Sequence, residues 1–211
     1  MRISLCHGAA FVLGLMLMGC SAVEVGWDID AGRRDLMLGA PNRALTEFQK
    51  IAKLEPAYYT DFSKFHQNVW TYIGRSYYEL GDLGQARKAL ERSVSQHSSA
   101  ILGHVFLGLV QMRQGEVQGG RANALKGDQL LDAWFNKLAA NDSFASYWDP
   151  KRTVRNAIPG LLNELQSGNV PWQNLVPKLA QLGPQMDAEM SLAAFKRNRA
   201  IESSEGAAAS T

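Results

Sequence analysis

Apolar residues recur at three- and four-residue intervals along most of this chain, the period of an α-helix that buries one face. The clearest run is Asn68–Val94. Trp70, Ile73 and Tyr77 share the face of one helix, Gly81-Asp82 breaks the pattern, and Ala86, Leu90 and Val94 share the face of a second. Gly74 carries no side chain, so the second helix can approach the first closely. Gly81 suits the left-handed conformation that ends a helix. Two such helices leave apolar surface uncovered, so the unit needs stacked neighbours.

Weaker copies flank this unit. Upstream, Ala31-Gly32 falls where Ile73-Gly74 stands, Gly39 falls at the turn, and Ala44, Leu45, Phe48, Ile51, Ala52 and Leu54 form the second stripe. Pro41 fits the first turn of that helix, where its missing N–H costs nothing. Downstream, Leu107-Gly108 matches Ile73-Gly74, Gly115 matches Gly81, and His104 replaces Trp70. The helix after Gly115 departs from the pattern at Gly119-Gly120 and runs on through Leu130, Leu131, Trp134, Phe135 and Leu138. This order of large and small residues resembles the tetratricopeptide repeat, over Val25–Trp134 and most specifically in the middle unit. The resemblance implies an all-α fold: an α-solenoid of about three helix pairs over 20–140.

The remaining segments are read from pattern alone. Tyr58–His66 interrupts the repeats and is rich in aromatics; we expect it to extend a helix and cover the core rather than grip a ligand. A lone histidine such as His104 is expected to be a core filler with its nitrogens satisfied. Asp149-Pro150 reads as a helix start. The stripes Val154, Ile158, Leu161, Leu162, Leu165 and Trp172, Leu175, Val176, Leu179, Leu182 then continue the helices. Pro159 predicts a kink or break, and Gly183-Pro184 a second break. Residues 141–202 are thus expected to form a helical cap, and 203–211 a disordered tail.

In tetratricopeptide proteins the first helix of each pair lines a groove. Carried over by position, the resemblance implies a groove set of Asn68, Thr71, Arg75 and Tyr78, with Val105, Leu109 and Met112 from the next pair. The lysine and asparagine clamp of the chaperone-binding members is missing. One arginine, one tyrosine and an apolar floor suit an amphipathic helix or an extended peptide. The alternative is that the chain's own C-terminal helices fill this floor.

Composition adds exclusions. The chain has 22 Lys and Arg against 20 Asp and Glu, so its formal charge of +2 gives no polyelectrolyte argument, and nucleic acid is not an expected partner. The four histidines show no ligand spacing with one another or with cysteine, so no metal is expected. No nucleophile elbow, phosphate loop, zinc-protease or dinucleotide motif occurs, which argues against an enzyme and implies no cofactor.

The first residues have a different character. Arg2 is followed by an apolar run, Ala9–Gly19, too short for the roughly 20 residues of a membrane span. It ends in Leu17-Met18-Gly19-Cys20, which resembles the bacterial lipobox. That resemblance implies a signal peptide over 1–19 and lipidation of Cys20. Ser21, rather than aspartate, after the cysteine implies the outer membrane, facing the periplasm. The expected function is an envelope-anchored scaffold for an unidentified protein or peptide partner. The alternatives are an assembly factor resembling the secretin pilotins or a cell-wall enzyme.

Overall fold

The computed structural model describes residues 28–62, 65–141 and 143–208. The leader over 1–19 and Cys20 lie outside them. The chain is mostly helical. A helix covering 28–37 (α1) is followed by α2, Pro41–Leu54. Next come α3, Val69–Glu79, and α4, Leu83–Gln96. They are followed by α5, Ile101–Arg113, and α6, Val117–Asn141. Then come a 3-10 turn at Ala145–Tyr147, α7 at Thr153–Ser167, and α8 at Trp172–Ala208. Consecutive helices from α2 to α6 pack on one another.

The first six helices are joined in pairs by turns at Gly39, Gly81 and Gly115, whose φ angles are +70°, +78° and +91°. Only glycine enters that region without strain. Asn68 caps α3 by accepting from the Thr71 N–H at 3.0 Å, and Asp82 caps α4 by accepting from the Gln85 N–H at 3.0 Å.

The irregularity of α6 has a packing cause. A Cβ on Gly120 would come within 2.7 Å of the Gly108 carbonyl, and one on Gly127 within 2.8 Å of the Val105 nitrogen. Gly108, Gly120 and Gly127 therefore form a seam along which α5 and α6 run antiparallel at close range. α5 is buried on nearly every side, so its sequence is apolar all round.

The structure differs from the sequence reading in three places. The aromatic insertion does not extend a helix: β1, Tyr59–Phe62, and β2, Phe65–Asn68, form an antiparallel hairpin pairing Tyr59 with Asn68 and Phe62 with Phe65. It does cover core. Phe65 is fully buried, 4.9 Å from the Trp134 ring and 6.0 Å from that of Trp148. Second, the prolines break nothing. Pro159 lies inside α7, and Pro177 and Pro184 lie inside α8, which runs unbroken past the expected Gly183-Pro184 stop. All three prolines are solvent-exposed. On α8 they sit opposite the buried stripe Leu175, Leu179, Leu182, Met186 and Met190, whose packing holds the helix together where a backbone bond is missing. Helix also continues over 203–208, where the sequence suggested a disordered tail.

Asp149 does cap α7, but from four residues before it. Its carboxylate accepts from the Val154 N–H at 3.2 Å and the Arg155 N–H at 2.8 Å, across a left-handed Arg152. His104 has both ring nitrogens partnered, by Asn123 Oδ1 at 3.3 Å and the Ser98 carbonyl at 3.0 Å.

Candidate functional site

The seven positions carried over from the repeat pattern do fall together, on the inward faces of α3 and α5 and, for Asn68, at the cap that begins α3. All seven are buried. Tyr78, Val105, Leu109 and Met112 share one apolar cluster with Leu175, Leu179, Leu182 and Met186 of α8. α8 therefore lies against the surface that the pattern assigns to a groove. A partner reaching those residues must displace it.

The polar members are organised in two groups. Asn68 donates its side-chain N–H to the Ser93 carbonyl at 2.9 Å, and the Thr71 and Ser93 hydroxyls lie 2.7 Å apart. These bonds tie the start of α3 to α4 and leave nothing to offer a ligand. Arg75 and Tyr78, one and two turns further along the same face, meet Asp187 of α8 and the Phe106 ring of α5.

Arg75 is the centre of the second group. Its Nη2 donates to Asp187 Oδ2 of α8 at 2.6 Å. Arg33 of α1 reaches the same residue, donating Nη2 to the Asp187 carbonyl at 2.9 Å, with Nε 3.6 Å from Oδ1. Two guanidinium groups thus converge on one buried carboxylate. Nε and Nη1 of Arg75 find no acceptor among the described residues. The guanidinium lies instead 5.6 Å from the Tyr72 ring centre and 5.3 Å from that of Phe106, where the ring faces offset part of the charge. Burial pushes the Tyr72 hydroxyl well above its ordinary range, so it stays neutral beside these cations. Gly183 makes this approach possible, because a Cβ there would come within 2.8 Å of Arg75 Nη2 and 2.9 Å of the Phe106 ring.

A second concavity lies elsewhere on α3. Trp70, Ile73 and Tyr77, the stripe most visible in the sequence, floor a groove of about 470 Å³ between α2 and α4. Its position was not legible as a site, because the same residues read as ordinary helix-packing positions. Among the described residues no three His, Cys, Asp or Glu side chains converge on a possible metal position, and no helix is long and apolar enough to cross a membrane. Compared with protein-family models, curated proteins and solved structures, the chain matches none.

Proposed function

We propose that this chain is an envelope-anchored docking module built of tetratricopeptide-like helix pairs, tethered by lipid on Cys20 at the outer membrane. In this reading the α3–α5 face binds a helical segment of a protein partner in the periplasm and catalyses nothing. The pairing of helices through glycine turns supports the repeat assignment, with Gly81 and Gly115 about one 34-residue repeat apart. The observation that carries the binding role is the Arg75–Asp187 pair beneath α8. It marks the face as one that takes an amphipathic helix with Leu or Met at i, i+3 and i+4 and one carboxylate in register. α8 is then a competitor in cis, and a partner helix must supply an equivalent acid.

Two experiments test this. Labelling with a radioactive fatty acid should give a signal that Cys20→Ala removes; label independent of Cys20 ends the anchoring claim. Crosslinking in intact envelopes should recover a stoichiometric protein partner. Asp187→Asn, which weakens the hold on α8, should raise its yield. Unchanged yield with a demonstrably loosened α8 removes the α3–α5 face from the reading.

A further inference from the structure

We propose that the groove between α2 and α4 is a second binding site, and that it takes an acidic peptide segment carrying an apolar side chain. The groove uses a different face of α3 from the one under α8. At 100° per residue, Trp70, Ile73 and Tyr77 lie roughly 130° round the helix from Thr71, Arg75 and Tyr78. The inference does not depend on what α8 covers.

The groove has a direction. Gln49 of α2 donates to the Tyr77 hydroxyl at 3.0 Å, and the Arg92 guanidinium of α4 stacks 3.7 Å from the Trp70 ring centre. α2 and α4 therefore both run antiparallel to α3. Gln49 and Gln85 fall at the Tyr77 end. Lys53, one turn beyond Gln49, falls with Arg92 at the Trp70 end, and Lys88 lies between. The floor from Trp70 to Tyr77 is about 10 Å long, the span of three extended residues. Ala52, Ile73 and Ala89 keep its middle apolar and shallow.

Charge identifies the occupant. Among the described residues no acidic side chain lines the groove. Cations on the outer sides of the same two helices are matched internally: Lys50 pairs with Asp28 at 2.9 Å, and Arg87 with Glu91 at 2.8 Å and Glu116 at 2.5 Å. Lys53 and Lys88 meet no carboxylate among the described residues, and Arg92 meets only the Trp70 ring. That ring is itself fixed, since Trp70 Nε1 donates to the Pro56 carbonyl at 2.7 Å. The stacked guanidinium keeps its N–H groups round its edge, free to hold a carboxylate. Three unmatched cations graded toward one end, above a fixed aromatic floor, complement a segment with acids at one end and an apolar side chain beside them.

The test is fluorescence anisotropy with a dye-labelled Glu-Asp-Leu-Phe-Gln probe on the full chain. The probe should bind, and a Lys-Lys-Leu-Phe-Gln probe should not. The double variant Lys53→Glu/Lys88→Glu, both exposed, should weaken binding about tenfold or more while leaving the circular dichroism spectrum unchanged. Trp70→Phe should weaken it through the floor. Equal binding of the two probes, or no effect of the double variant, overturns the proposal. So does charge-dependent binding of phosphatidylglycerol vesicles with no binding of the peptide.

Discussion

Arg75 and Asp187 stand 112 positions apart in the chain and 2.6 Å apart in space, with side chains 3% and 1% exposed. A pair so deeply buried is costly to desolvate, and removing one partner alone is costlier still, because the other charge is left uncompensated. It ties the last helix to the middle of the repeat-like region, so the C-terminal helix is part of the fold rather than an appendage.

Asp187→Ala leaves Arg33 and Arg75 without their common counter-charge. Removing one partner of a buried pair costs about 3–5 kcal/mol. Urea unfolding should show a loss of this size. A loss below about 1 kcal/mol would mean that water reaches the pair and α8 is only loosely seated.

Two glycine substitutions should act in opposite directions. Gly127→Ala places a methyl within 2.6 Å of Val105 Cγ2 and 2.9 Å of the Ile101 carbonyl, forcing α5 and α6 apart. We expect a loss of about 1–3 kcal/mol. Gly160→Ala meets nothing within 4 Å inside α7 and should gain about 0.5–1 kcal/mol. Thermal melts of both proteins check the seam, and equal shifts would argue against it.

Asp128 gives a pH dependence. It is wholly buried on α6, neither carboxylate oxygen is hydrogen-bonded among the described residues, and burial, with Asp132 nearby, pushes its carboxyl up to about 7. The folded chain therefore keeps a proton that the unfolded chain releases above the ordinary carboxylate range. This contribution is fully present below pH 3.8 and is lost as pH rises to about 7. At about 1.4 kcal/mol per unit, up to about 4 kcal/mol is at stake. Asp128→Asn should flatten the stability profile between pH 4 and 7. A variant that retains the wild-type slope would place the titration at another group.

Asn68→Ala removes both the α3 cap and the bond to the Ser93 carbonyl. A loss of about 1–3 kcal/mol is expected, against about 1 kcal/mol for Asp82→Ala, whose cap faces solvent. Chemical denaturation of the two variants compares them. Equal effects would show that the link between α3 and α4 adds nothing to the cap.

Much of this was legible in the residues. The stripe Trp70, Ile73, Tyr77 and the glycine turns placed the first six helices, because period and turn chemistry agree there. The hairpin was not legible: Ser63-Lys64 is no hairpin-turn signal, and Tyr58–Phe65 reads as aromatic filler without regard to period. Gly183-Pro184 misled because a proline taken alone forbids a helix interior. Pro177 and Pro184, seven residues apart, both fall on the face away from Leu175 and Leu182, and long-range packing overrides the local rule. The seven carried-over positions are buried, and cover by the C-terminal helices was one of the two readings the residues left open. Nothing local links Arg75 to Asp187, and an arginine on a helix reads as solvated until its partner is placed.

The most direct test is hydrogen exchange by mass spectrometry on the full chain. α8 seated on the α3–α5 face predicts strong amide protection over 175–190, and a joint loss of protection there and on α3 and α5 in Asp187→Asn. Residues 175–190 exchanging at free-chain rates in the wild type, while α5 stays protected, would contradict the account.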